Sequence, residues 1–204
     1  MRRGRVAPHR HRLNSVTVYT IEARAFRVAL AGSHNFWVLK DDDRGVILGE
    51  LHGLAYDRVK RVILPIGTNR NHALRMFVFP HDAAYAATLG LPVSTTRMFR
   101  QSRARVAYRG ADGLDRWNAA IAALPLLDAL DVDYPPYGFN VLRPTLNSNA
   151  AYRTFGEIMG VPVHRFAGAL APGGRQRICS ASEIERLKYR GIASTPAQER
   201  VASH

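Results

Sequence analysis

Two imidazoles, a carboxylate and a hydroxyl are spaced along this chain in a way that could move a proton. His34 lies in the run Ser33-His34-Asn35-Phe36-Trp37-Val38, and Glu50 and His52 close the run Val46-Ile47-Leu48-Gly49-Glu50-Leu51-His52. The turn Asp41-Asp42-Asp43-Arg44-Gly45 separates them. Far downstream, Asn147-Ser148-Asn149 stands where a loop enters an amphipathic segment. A serine hydroxyl is far from ionised at neutral pH, so as a nucleophile it needs a histidine base held by a third polar group. On this reading Ser148 is the nucleophile, His34 the base, and His52, or failing that Glu50, the orienting group. Asn147 or Asn149 would donate to the oxyanion, helped by the free amides and positive end of a helix start. Ser148 also suits a plain helix N-cap. His34, His52, His72 and His81 lack the tight spacing of zinc ligands, and no Walker loop, dinucleotide glycine fingerprint or Gly-x-Ser-x-Gly elbow occurs. No cofactor or metal is implied.

The elements that must position these residues follow from periodicity. Val16 and Val18, then Phe26, Val28 and Leu30, alternate with polar or small residues, which predicts two strands before His34. Phe36 to Lys40 and Val46 to His52 read as a hairpin. With a five-residue loop Lys40 faces Val46, which sets His34 opposite His52 and Phe36 opposite Glu50 on one face. Val62 to Ile66 and Leu74 to Phe79 complete a strand-rich half. Asp82 caps a short helix that Gly90 stops, and Arg105 to Tyr108 is a further strand. Asp112 caps a helix whose Leu114, Trp117, Ile121 and Leu124 face the core until Pro125 interrupts it. A helix from Ser148 to Met159 turns Ala151, Phe155 and Ile158 inward and stops at Gly160. Ser180 and Glu183 form a capping box for a last helix ending near Arg190. The fold class is α+β, an antiparallel sheet packed against two or three helices.

The histidine hairpin followed by the Asn-Ser-Asn helix start resembles the permuted papain-like superfamily, which includes lecithin:retinol acyltransferase-like enzymes and NlpC-type cell-wall peptidases. In those proteins the histidine strand comes first, and an Asn-Cys-Asn or Asn-Cys-Glu nucleophile opens a later helix. The resemblance implies a papain-like fold with His34 as base, His52 as second polar residue and Ser148 as nucleophile. It covers about a quarter of the chain. Serine stands where the family has cysteine, so the implied activity depends wholly on the base. Cys179 lies far from the motif and reads as a small buried hydrophobe.

Composition bounds the rest. The chain has 204 residues, 47% of them apolar, which suits one domain over 13–190 between a flexible basic arm at 1–12 and a tail at 191–204. One cysteine cannot form an internal disulfide. The start lacks the apolar stretch of a secretory signal, which implies a cytoplasmic protein or one exported without a cleavable signal peptide. No transmembrane segment is expected. The net charge of +13 favours an anionic partner: a polymer, a lipid or peptide substrate, or nucleic acid. The functional expectation is a hydrolase or acyltransferase acting on an amide or ester carbonyl of a cell-wall peptide or a lipid, with a bacterial effector or toxin role fitting such a domain. Its rivals are a non-catalytic binder of nucleic acid or an anionic surface, and a pseudoenzyme that keeps the groove. The sequence leaves oligomeric state open.

Overall fold

The computed structural model describes residues 16–28, 32–140, 143–168 and 170–191. The arm expected at 1–12 and the tail expected beyond Gly191 lie outside these residues. Six antiparallel strands form one sheet: β1 (Tyr19–Arg27), β2 (Ser33–Asp41), β3 (Val46–Asp57), β4 (Val62–Leu64), β5 (His72–Pro80) and β6 (Ser102–Gly110). Their order is β4-β3-β2-β1-β6, with β5 on β3. Four helices accompany them: α1 (Ala83–Leu89), α2 (Gly113–Ala129), α3 (Ser148–Met159) and α4 (Ala181–Leu187). The class is therefore α+β, as the segment pattern implies. No helix among the described residues is long and apolar enough to cross a membrane.

One strand replaces the two expected ahead of His34. Val16 to Val18 precede it, and β1 runs from Tyr19 to Arg27, where all nine residues pair with β2. The alternation along this segment marks β1's two faces. Ile21, Ala23 and Ala25 enter the core, while Glu22 pairs with Arg24 and Lys40 on the other side.

The hairpin register also differs from expectation. Asp41 pairs with Val46 and Lys40 with Ile47; a bulge then shifts the ladder, so that Val38 pairs with Glu50 and Trp37 with Leu51. The turn moves the register by one residue and the bulge by another. Since side chains alternate with period two, the sum restores the expected faces. Phe36, His52 and Glu50 stay together, with His52 stacked on Phe36 at 4.5 Å rather than opposite His34.

α3 begins and ends where the sequence places it, with Gly160 in the left-handed conformation (φ 65°) as its stop. Ala151, Phe155 and Ile158 are fully buried. It packs on the sheet face that carries Trp37, whose indole N–H donates to the Tyr152 carbonyl at 2.7 Å and whose ring stacks on Tyr152. Its N-cap is Asn147, not Ser148: the Asn147 side chain accepts from the amides of Asn149 and Ala150.

α2 runs through Pro125 to Ala129, with the proline exposed on the outer side of the last turns. Its buried line is Trp117, Ala120, Ala123 and Leu127, with Leu114, Ile121 and Leu124 only half-buried. Asp112 makes no side-chain cap; Tyr108 and Arg116 occupy its carboxylate. The capping box of Ser180 and Glu183 is present, and α4 ends at Leu187, short of Arg190.

Candidate functional site

The polar cluster starts from β3. Glu50 and His52 are two residues apart, so both side chains leave the same face, and both are fully buried. His52 Nε2 lies 2.8 Å from one Glu50 oxygen, and His81 Nε2 lies 2.8 Å from the other. A carboxylate only accepts, so both imidazole nitrogens carry protons. His52 is then left with Nδ1 as an acceptor, and His34 Nε2 donates to it at 2.9 Å. The result is a directed chain, from His34 through His52 to Glu50, with His81 as a second donor. The Phe99 amide adds a long contact of 3.4 Å to Glu50.

Aromatic rings keep water from this chain. Phe36 and Phe79 flank His52, and Phe99 leans on His81. Burial lowers the His34 pKa to about 3; the neighbouring His52 adds to this and Glu50 opposes it. Burial likewise lowers His52, against its hydrogen bond to Glu50. For Glu50 burial works upward, but the hydrogen bonds from His52 and His81 outweigh it and hold the carboxyl below its usual range. Neutral His34 and His52 beside an ionised Glu50 are the stable state at neutral pH.

Asn147, Ser148 and Asn149 gather at the start of α3, and Asn149 fixes that start to β2. Its Oδ1 accepts from the Asn35 amide at 3.0 Å and its Nδ2 donates to the Ser33 carbonyl at 3.0 Å, so it grips the backbone on either side of His34. It also donates to the Pro172 carbonyl. This grip is available because β2 and β3 part at this end. β3 pairs with β2 up to Leu51 and with β4 from Ala55, while β5 occupies its other edge throughout. The intervening residues of β3 border a gap. Gly53 lies there, and a Cβ on it would collide with Ala151 and sit 3.6 Å from Ser148 Cα.

The structure thus brings His34, His52 and Glu50 into one line and sets Asn147, Ser148 and Asn149 together beside the same end of β2. The two groups approach from opposite sides of the sheet: alternation directs His52 away from the face on which Gly53 meets α3. Among the described residues no hydrogen bond joins Ser148 to His34 or His52. Ser148 is buried and faces the Tyr134 hydroxyl, whose pKa is raised by burial against the contacts with Ser148. His34 Nδ1 takes no partner among the described residues.

Three neighbours of the cluster are absent from the sequence reading as site residues. His81 follows the end of β5 and reaches Glu50 only because its amide bonds the Leu48 carbonyl. Phe99 arrives on a short 3-10 turn, Met98–Gln101, and Tyr134 lies in the connection between α2 and α3. None carries a local signal; tertiary placement alone recruits them. His81 Nδ1 is buried without a partner. Among the described residues no group of three or more His, Cys, Asp or Glu side chains is arranged to hold a metal. Cys179 is half-buried, with its thiol pKa pushed up by burial. Compared with known proteins, the chain matches no family model, no curated protein and no solved structure.

Proposed function

We propose that this protein is a hydrolase or acyltransferase acting on an ester or amide carbonyl, of permuted papain-like type with serine as nucleophile. The observation that carries the reading is the directed chain from His34 to Glu50, which leaves His34 Nδ1 without a hydrogen-bond partner among the described residues at the strand end where Asn149 docks the start of α3. In the first step Ser148 Oγ bonds to the carbonyl carbon as its proton passes to His34 Nδ1, a transfer that requires these two side chains, set on opposite sides of the sheet here, to come within hydrogen-bond reach. His34 returns that proton to the departing alcohol or amine as the acyl bond breaks. Water or a second acceptor then takes the acyl group from Ser148 by the reverse sequence. His52 and Glu50 hold the imidazole and offset its transient positive charge. The Asn147 cap takes the Asn149 and Ala150 amides, and the Asn147 and Asn149 side chains are engaged elsewhere, so an oxyanion here would rest on the Ser148 amide.

Labelling with a fluorophosphonate tests the reading. Wild-type protein is expected to label at Ser148, with at least a hundredfold slower labelling of His34→Gln and none of Ser148→Ala. Labelling that persists in Ser148→Ala, or its absence from folded wild type, rejects it.

One observation favours a second reading, a binder of nucleic acid. Arg97, Arg100, Arg103, Arg105 and Arg109 are all exposed along the 3-10 turn and the edge strand β6, a stretch with no acidic residue. Such a surface predicts affinity for single-stranded DNA that falls steeply with salt and is indifferent to Ser148→Ala.

A further inference from the structure

Beside the start of α3 lies an open cleft of about 440 Å³, lined among others by Asn140, Arg143, Thr145, Pro172, Gly173 and Arg175. Its wall is built onto the candidate site. Asn147 Nδ2 donates to the Gly138 carbonyl at 2.7 Å and to the Pro172 carbonyl at 3.0 Å, which ties both flanking loops to the residue before Ser148. Gly173 has φ 80° and presses so closely on Asn147 Oδ1 and the Thr145 carbonyl that a side chain there would not fit.

The charge in this cleft is uncompensated. Acidic side chains elsewhere are engaged with other arginines: Glu157 holds Arg153 and Arg177, Asp112 holds Arg116, and Asp131 holds Arg58 and Arg75. Arg143 and Arg175 are exposed and have no ion-pair or hydrogen-bond partner among the described residues, and no acidic residue lines the cleft. Two exposed guanidinium groups lining one concave surface make a receptor for a small oxyanion.

We propose that this cleft is the specificity subsite for a carboxylate or phosphate group carried by the substrate. It extends the reading of Ser148 as nucleophile by stating which carbonyl compounds reach it: those bearing an oxyanion a few bonds from the scissile carbonyl, rather than neutral ones. The cleft's own binding does not depend on that chemistry.

Two measurements separate the claims. First, glutarate and inorganic phosphate are titrated into the full chain, with binding followed by calorimetry. At least one is expected to bind, and Arg143→Gln and Arg175→Gln to weaken it about tenfold each, while Ser148→Ala and the equal charge loss Arg105→Gln on β6 leave it unchanged. Preference for glutarate or for phosphate identifies the source of the oxyanion. Second, hydrolysis of the mono-p-nitrophenyl ester of glutaric acid is compared with that of neutral p-nitrophenyl butyrate; the acid is expected to be preferred at least tenfold in kcat/KM, and the preference to vanish in the double arginine variant. Absence of binding, or binding that Arg105→Gln weakens as much as the cleft variants do, overturns the subsite. Binding with the expected variant pattern but no ester hydrolysis upholds the anion site and removes the catalytic reading instead.

Discussion

His52 accepts a hydrogen bond from His34, and the direction of that bond is set by a third residue. Because Glu50 takes the His52 Nε2 proton, His52 Nδ1 is a lone pair and His34 must present Nε2–H to it. One buried carboxylate therefore fixes the tautomers of two rings, and leaves His34 with its lone pair on Nδ1.

Glu50→Gln tests that control. A glutamine offers one acceptor and one amide donor to two imidazoles that both donate, so one contact must become donor to donor unless a ring changes tautomer. We expect a loss of about 1–3 kcal/mol in urea unfolding, the size associated with leaving a buried hydrogen-bonding group unsatisfied. Any esterase activity should fall on the order of a hundredfold in kcat.

Acid should unfold the protein earlier than its surface charges alone would dictate. An unfolded histidine binds a proton near pH 6.5, whereas folded His34 resists until about 3. Between those values the unfolded chain holds more protons, so this contribution to stability is complete above pH 6.5 and declines as the pH drops through the window. The lowered Glu50 acts in the same sense, losing its contribution as it protonates below the ordinary carboxylate range. The slope should approach about 1.4 kcal/mol per pH unit for each proton involved. Urea midpoints measured from pH 4 to 8 should show a shallower acid limb in His34→Gln, whose amide can still donate to His52.

Gly53→Ala should displace α3. The new methyl would occupy the space of the Ala151 methyl, and overpacking of this kind costs about 1–3 kcal/mol. Adding Ala151→Gly should recover part of the loss, so that a double-mutant cycle on thermal unfolding gives a coupling well above 0.5 kcal/mol in magnitude. Additive effects would show that the two residues do not meet.

Asn149→Ala should destabilise more than a surface cap does. It strips partners from the Asn35 amide and the Ser33 carbonyl, where each buried group left unsatisfied costs roughly 1–3 kcal/mol, while the Pro172 carbonyl keeps its bond from Asn147. Asn149→Asp retains the acceptor and loses the donors, and should fall between the two. Amide exchange at Asn35 should speed up in Asn149→Ala and change little in Asn149→Asp.

The extent of the helix that carries Ser148 is legible because an inward stripe and a left-handed glycine agree, whereas its cap falls on Asn147 rather than on the Ser148 the sequence offers. The hairpin is legible in outcome but not in register: a turn one residue different and a bulge at Leu39 cancel, and pairing rules contain nothing that announces a bulge. His81 is invisible to periodicity, since it reaches Glu50 from beyond the end of another strand. The relation of Ser148 to the histidines lies furthest from the sequence. It depends on where β2 and β3 separate, which is decided by Asn149 and the Leu170 to Pro172 segment lying along β2 in place of a strand.

The bulge between Leu39 and Lys40 separates the tip of the hairpin from its polar base. A change of one residue in the Asp41 to Gly45 tip can be absorbed there by gaining or losing the extra residue, with Phe36 and His52 still side by side. The tip is thereby a point where loop length can vary without disturbing the proton line, and where a peptide tag or a reporter could be grafted into an otherwise tightly registered sheet.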